Sequence, residues 1–198
     1  MSCFSPSEIS HYQRHLSLEK IGESGQKKLK ESSILVVGAG GLGCPALQYL
    51  AAAGVGRIGI IDSDQVEQSN LQRQILFNYD DIGKYKAETA KNKISRLNPH
   101  IEIEYFNDRL CAENIKKRLE KYSIILDGSD NFETKYLLND ASVIFNKVLI
   151  YGSISEFSAQ VSVFNFNCGP TYRCLFPEPP GVNALPPCTE GGVLGVLP

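Results

Sequence analysis

The chain has 198 residues, with 20 basic and 22 acidic side chains and a formal net charge of −2. This length fits one domain with its own core, and the near-neutral charge excludes a generally basic nucleic-acid coat and any attraction to anionic membranes. No apolar run approaches the roughly 18 residues that span a bilayer. The start has no signal-peptide pattern, and six cysteines do not form a disulfide framework, so we expect a reduced, cytoplasmic protein.

The first 31 residues are polar and predict two short helices, one capped by Ser7 over residues 8–16 and one over 22–31. Apolar runs that predict strands then alternate with helical patterns. The predicted strands are 34–37, 58–61, 101–105, 123–127 and 148–153, and the predicted helices are 44–54, 85–97, 113–121 and 131–146. This alternation predicts a parallel, doubly wound α/β sheet. Residues 157–166 alternate apolar and polar side chains, which predicts an antiparallel strand at its edge.

The last part of the chain has a different composition. Seven of the ten prolines lie between residues 170 and 198, which predicts a long loop. We therefore divide the chain into a helical N-terminal arm (1–31), an α/β part (32–167) and a Pro/Gly-rich tail (168–198), all within one domain.

A glycine-rich loop follows the first predicted strand. Gly38, Gly40 and Gly43 form G-x-G-x-x-G directly before a helix, so the backbone can approach a phosphate at the helix N-terminus. Asp62 ends the second strand, about 20 residues further on, where an acid accepts hydrogen bonds from a ribose hydroxyl. An ordinary glycine turn and a solvated acid are the alternatives. The pattern fits either a dinucleotide or ATP.

Polar residues further along distinguish these two ligands. A dinucleotide site has no need of Asn70, Arg73 and Lys86, whereas the charge of a triphosphate must be neutralised as pyrophosphate leaves. Asp130 follows the fourth strand, where a carboxylate is placed to hold Mg²⁺. From spacing alone, Arg73 and Lys86 could equally be surface charges, and Asp130 could be a helix N-cap.

Motifs across nearly the whole chain resemble the ThiF/MoeB/HesA adenylyltransferases, the bacterial relatives of ubiquitin-activating enzymes. The matching stretches are YQRHL (12–16), residues 36–77 with their NLQRQ run, IGKYKAE (82–88), RLNPH (96–100), LDGSDNFETKYLLND (126–140), YRCLFPEPP (172–180) and CTEGGVLGVLP (188–198). The resemblance implies a Rossmann-like fold whose residues 32–167 bind ATP and whose tail is a crossover loop. It also implies ATP- and Mg²⁺-dependent adenylylation of the C-terminal glycine of a ubiquitin-like sulfur carrier, for thiamine or molybdenum-cofactor biosynthesis.

The resemblance also implies roles for individual residues. The residues implied to bind the nucleotide are Gly38, Gly40, Gly41 and Gly43 in the loop, Asp62 on the ribose, and Asn70, Arg73 and Lys86 on the phosphates. Asp64 and Gln74 are implied to support them. Asp130 would serve Mg²⁺ and the reacting α-phosphate. Arg14 would reach into the nucleotide site of a partner subunit, so a homodimer is implied.

The partners implied are a carrier protein ending in Gly-Gly and a sulfurtransferase or cysteine desulfurase; neither nucleic acid nor a membrane is expected. Cys188 matches a reactive loop cysteine that could form a thioester or persulfide with the carrier, the alternative being an inert cysteine. Many members of the family also bind zinc through two Cys-x-x-Cys pairs. Here Thr171 replaces the first cysteine of the first pair and only Cys174 remains, so we expect no structural zinc.

Two alternatives to an active adenylyltransferase stay open. Members of the family continue beyond GVLGVLP with a further helix and strands, so the chain could be a truncated remnant that binds nucleotide without transferring AMP. An NAD-dependent oxidoreductase would share the glycine loop and Asp62, but it leaves Arg73, Lys86 and Asp130 unexplained.

Overall fold

A computed structural model describes residues 3–180 and 192–198 of the chain. Its centre is a six-stranded sheet in the order β3-β2-β1-β4-β5-β6. The strands are β1 (Ser33–Val37), β2 (Arg57–Ile61), β3 (Glu102–Phe106), β4 (Ile124–Asp127), β5 (Val148–Ser155) and β6 (Ser158–Phe164). The first five are parallel and β6 runs antiparallel to β5. The predicted doubly wound sheet with an antiparallel edge is confirmed.

Seven α-helices connect and flank these strands in the described residues. They are α1 (Pro6–Leu16), α2 (Gly22–Glu31), α3 (Gly43–Ala53), α4 (Lys86–Leu97), α5 (Ile115–Leu119), α6 (Phe132–Ile144) and α7 (Tyr172–Leu175). The predicted Ser7 cap is wrong, because the Ser5 side chain and Glu8 form a capping box and the helix begins two residues earlier than predicted. The cap of α6 is Asn131, whose side chain accepts from the Thr134 amide, so the alternative of Asp130 as the cap is also wrong.

The hydrophobic core lies on both faces of the sheet, and successive residues of β1 point into opposite halves of it. Ile34 and Val36 pack with residues of α3 and α4, whereas Leu35 and Val37 pack with residues of α5 and α6. Strands buried on both faces have continuous apolar sequences, which is the pattern seen in β1 and β2. Among the described residues, no helix is long and apolar enough to cross a membrane.

The tail is more structured than the predicted long loop. Tyr172 of α7 is buried, with its ring centroid 5.2 Å from that of Tyr136 and 5.1 Å from that of Tyr151. Further on, the Leu194 amide donates to the Glu156 carbonyl over 3.1 Å, beside a β-bridge between Glu156 and Val193. The tail therefore contacts the sheet at both described ends. The boundaries of the arm, the α/β part and the tail stay predictions.

The strand order reverses between β1 and β4, so the connections that follow these neighbouring strands leave a crevice at the carboxyl edge of the sheet. The N-terminal arm packs at the opposite edge. The ring of Tyr12 in α1 lies against Gly54, at the C-terminal end of α3, and its hydroxyl accepts a 2.7 Å hydrogen bond from Asn98.

Candidate functional site

The glycine loop lies in this crevice, and its shape depends on missing side chains. Gly38 has φ +91°, and a Cβ atom there would lie 2.7 Å from the carbonyl oxygen of Gly128. A Cβ atom on Gly43 would overlap the carbonyl oxygen of Gly38. The chain therefore turns tightly into α3, whose first amides and positive dipole end face the crevice and favour an anion. Cys44, next in the helix, is buried, and burial raises the pKa of its thiol to about 12.

Gly40 and Gly41, in the middle of this loop, differ in how closely other residues approach them. A Cβ atom built on Gly40 would have Nε2 of Gln74, at 3.8 Å, as its nearest neighbour. A Cβ atom built on Gly41 would lie 3.1 and 3.3 Å from ring carbons of Pro198 and 3.6 Å from Cδ of Arg73. Gly40 therefore has free space beside Gln74, whereas Pro198 packs closely on Gly41.

Asp62 connects the glycine loop to the charged segment that follows it. Its Oδ2 accepts a 2.7 Å hydrogen bond from the amide of Ala39, and its Oδ1 accepts one of 2.8 Å from the amide of Asp64. Burial raises the pKa of Asp62, although the nearby Lys86 charge and these two amides act to lower it. The carboxylate is therefore fixed beside the loop by backbone donors.

Lys86, the first residue of α4, has a buried side chain despite its charge. Its Nζ lies 3.0 Å from Oδ2 of the exposed Asp64, and its amide donates to the Asp64 carbonyl over 2.9 Å. Asp64 therefore holds Lys86 next to Asp62, so the structure brings together three predicted site residues from two separate stretches of sequence.

The turn over residues 67–74 places three more predicted residues. Asn70 is buried and its Oδ1 accepts from the Glu67 amide at 3.1 Å, so its side chain shapes the turn. Arg73 donates to the Ser69 carbonyl over 3.3 Å. Gln74 is 3% exposed, and among the described residues its Oε1 has no hydrogen-bond partner. A buried amide next to Gly40 that lacks one partner fits a ligand in the crevice, since leaving such a group unpaired is costly.

The 127–131 loop runs from the last residue of β4, Asp127, to the N-cap of α6, Asn131. Asp127 forms a buried ion pair with Lys135 of α6 that was not predicted from the sequence. Nζ of Lys135 lies 3.0 Å from Oδ2 of Asp127, and the side chains are 6% and 1% exposed. The acid at the strand end was visible in the sequence, but spacing did not indicate that a lysine on the next helix would fold back onto it.

Asp130 lies in the same loop and is exposed. Within the described residues, the one hydrogen bond to its carboxylate is a long one of 3.5 Å, which the Asn131 side chain donates to Oδ1. A carboxylate with free oxygen lone pairs has the donor chemistry that Mg²⁺ prefers. The residues at this position thus fit the predicted role in holding a metal–phosphate complex.

Arg14 is not part of the same crevice. It is exposed on α1, which packs at the far end of α3 from the glycine loop, and that helix of 11 residues is about 16 Å long. Cys188 lies outside the described residues.

The tail residues at the predicted zinc position interact with each other. The Thr171 amide donates to Cys174 Sγ over 3.4 Å, and hydrogen bonds from Thr171 lower the pKa of the Cys174 thiol. Within 3–180 and 192–198 no three potential metal ligands cluster, and the absence of structural zinc stays a prediction.

The chain is similar to proteins of one family. The ThiF family model matches residues 12–198. The chain is 48% identical over 196 residues to a sulfur carrier protein adenylyltransferase of Thermus thermophilus, covering 96% of this chain and 72% of that protein. It is 48% identical over 200 residues to a probable adenylyltransferase/sulfurtransferase, MoeZ, of Mycobacterium tuberculosis, covering 99% of this chain and 51% of that one.

The chain is also similar to a solved structure of E. coli MccB with ATP, with a TM-score of 0.60 and 32% identity. The matching region covers 66% of this chain and 39% of the MccB chain. The chain therefore spans about half of MoeZ and less than half of MccB.

Proposed function

Because the chain belongs to the ThiF family, we propose that it is an adenylyltransferase that uses ATP to activate the C-terminal glycine carboxylate of a ubiquitin-like sulfur carrier. The observation that carries this proposal is the buried Lys86, held by Asp64 beside Asp62 at the glycine loop. A buried cation at this position suits the charge of a triphosphate, whereas a dinucleotide site does not need one. The relatives named as adenylyltransferases support the same assignment.

In the proposed reaction, a carboxylate oxygen of the carrier attacks the α-phosphorus of ATP, and the bond to the pyrophosphate oxygen breaks. The products are an acyl-adenylate on the carrier and pyrophosphate. The amides of α3, Arg73 and Lys86 would disperse the phosphate charge, and Gln74 and Asp62 would orient the nucleoside. Positioning and charge stabilisation then supply most of the rate, because a carboxylate nucleophile needs no general base.

Asp130 would hold Mg²⁺ together with the phosphates of ATP, as its exposed carboxylate permits. The bound metal would supply charge neutralisation at the leaving pyrophosphate. The position of Asp130 after β4, whose carboxyl end lies beside that of β1, supports this proposed role.

The active form in this proposal is a homodimer in which Arg14 acts on the nucleotide of the partner. Arg14 is exposed and lies at the opposite edge of its own sheet, so it can serve a nucleotide site only in a second copy. The Cys188 thiolate would then attack the carbonyl carbon of the acyl-adenylate and release AMP, which leaves the carrier bound as a thioester. If a sulfurtransferase or cysteine desulfurase had first placed a persulfide on Cys188, its terminal sulfur would attack in the same way, release AMP and form an acyl-persulfide. The pathway would be thiamine or molybdenum-cofactor biosynthesis in the cytoplasm.

ATP–pyrophosphate exchange, measured with and without a carrier ending in Gly-Gly, tests the proposal. Exchange should require the carrier and be lost in Asp130→Ala, while Asp80→Ala, which removes another exposed carboxylate, should retain it. A folded protein that binds Mg-ATP but shows no exchange would overturn the enzymatic assignment and leave a nucleotide-binding protein. Tighter binding of NAD than of ATP would instead favour an oxidoreductase.

Mixing two inactive variants tests the proposed role of Arg14. In a dimer of Arg14→Ala with Asp130→Ala, one of the two composite sites is intact. Random pairing should therefore restore about a quarter of the wild-type rate. No recovery from a mixture that forms heterodimers would contradict action across the dimer.

A further inference from the structure

Lys135 is a buried lysine that the proposed chemistry does not use. Its side chain is 6% exposed, and its Nζ donates to three acceptors: Oδ2 of Asp127 at 3.0 Å, the carbonyl of Ser129 at 2.9 Å and the carbonyl of Gly152 at 3.0 Å. These acceptors lie at the end of β4, in the loop after it and on β5. An ammonium group has three protons to donate, so all three are used.

The same loop is held from its other side. The amide and the hydroxyl of Ser129 both donate to Oδ1 of Asp127, so the carboxylate and the ammonium together fix the backbone on both sides of Gly128. Gly128 in turn contacts the glycine loop, because a Cβ atom on it would lie 3.2 Å from the Gly38 carbonyl and 3.3 Å from the Gly43 amide. Asp130 is the next residue but one along the chain from Gly128.

We propose that Lys135 is a positioning residue for adenylyl transfer, fixing the 127–131 loop so that Asp130 is held at the reacting phosphate. This inference rests on the function proposed above. A buried ion pair often adds no net stability over apolar residues of similar volume, so stability alone gives little reason for one here. A lysine that donates to the Asp127 carboxylate and to two backbone carbonyls, those of Ser129 and Gly152, instead fixes a geometry. A misplacement of about 1 Å at a reacting centre can cost about 100-fold in rate.

The test compares Lys135→Met, Lys135→Arg and a matched control, Lys93→Met. Lys93 also pairs with a buried carboxylate, that of Asp81, but it lies on α4 and does not contact the 127–131 loop. Two experiments are done on each folded variant. Steady-state kinetics give the carrier-dependent kcat and the KM for ATP, and hydrogen–deuterium exchange is measured on peptides covering residues 127–131. Lys135→Arg keeps the charge and the capacity to donate to several acceptors.

We expect Lys135→Met to lower kcat by about 10- to 100-fold with KM for ATP changed less than about threefold, because Lys135 touches the loop and not the nucleotide. Exchange in the 127–131 peptides should rise in this variant only, and Lys135→Arg should recover most of both properties. A kcat for Lys135→Met within twofold of that of Lys93→Met, or unchanged exchange in the loop, would overturn the inference. If the wild-type chain has no activity, the proposed function fails and hydrogen exchange alone decides whether Lys135 fixes the loop.

Discussion

The two loops that follow the central strands β1 and β4 touch each other at Gly38 and Gly128, yet they keep their shapes by opposite means. The loop after β1 depends on the absence of side chains, since Cβ atoms on Gly38 or Gly43 would meet backbone. The loop after β4 depends on buried side chains, the Asp127–Lys135 ion pair and the hydrogen bonds of Ser129.

This difference determines which amino-acid substitutions disrupt each loop. A glycine loop fails when an atom is added, because neighbouring backbone cannot move aside. A loop built on an ion pair fails when a partner is removed, because the remaining charge stays buried without compensation. The substitutions below separate the two cases.

The largest effect should come from Asp127→Ala, which leaves the Lys135 ammonium buried and unpaired. We expect the free energy of unfolding to fall by about 3–5 kcal/mol, measured by urea denaturation. The double variant Asp127→Ala/Lys135→Met should recover part of this loss, because both charges are gone. A double variant less stable than Asp127→Ala alone would show that the pairing is not what stabilises the loop.

Gly43→Ala should be the next most damaging change. The added methyl group overlaps the Gly38 carbonyl, so the turn must open, at a cost of about 1–3 kcal/mol in unfolding free energy. ATP binding, followed by calorimetry, should be lost with it. Gly192→Ala is the control, since a Cβ atom there meets nothing within 4 Å. Equal stability of the two variants would contradict the steric account.

Gly40→Ala should separate folding from binding. A Cβ atom at this position makes only an ordinary 3.8 Å contact with Gln74, so unfolding free energy should change by less than about 0.5 kcal/mol. The same methyl group would lie where phosphate approaches the backbone, and ATP affinity should fall about tenfold, equal to about 1.4 kcal/mol. An ATP affinity of Gly40→Ala equal to that of the wild type would show that the phosphates do not bind at Gly40.

The smallest effect is expected at an ion pair distant from both loops, Glu8 with Lys30 in the N-terminal arm. Burial acts to raise the pKa of Glu8, but hydrogen bonds from Lys30 and Ser5 outweigh it and lower the pKa from 4.5 to about 2. Stabilisation by this group is therefore present above pH 4.5 and lost as the pH falls from there to about 2.

Glu8→Gln should cost about 1 kcal/mol at pH 7, allowing for solvent screening around the half-exposed Lys30. That cost should shrink as the pH is lowered toward 2.5 in urea-unfolding measurements. Glu19→Gln, at an exposed glutamate after α1, should be neutral at both pH values. A Glu8→Gln cost that does not depend on pH would refute the proposed linkage.

Much of the fold could be predicted because its signals are local. The apolar run of β1, the glycines after it and Gly54 at the end of α3 each report a backbone preference that holds wherever the segment is placed. The prediction of the first helix cap was wrong because two local signals compete there. Ser5 and Ser7 are both acceptable N-caps, and the hydrogen bond between the Glu8 side chain and the Ser5 amide favours Ser5. The short helix α7 in the tail was not predicted, because Tyr172 packs on Tyr136 and Tyr151, which are distant in sequence.

Periodicity and glycine chemistry act over a few residues. The amino-acid sequence was therefore enough to predict an alternating α/β chain, a glycine loop between a strand and a helix, and the charged residues that follow it. Which of those charges meet depends on how the chain folds. Asp64 reaches Lys86 across 22 residues, and Lys135 folds back onto Asp127 and Gly152, because the carboxyl ends of parallel strands converge at one edge of the sheet. Buried charges require partners, and only the folded chain determines which partners are within reach.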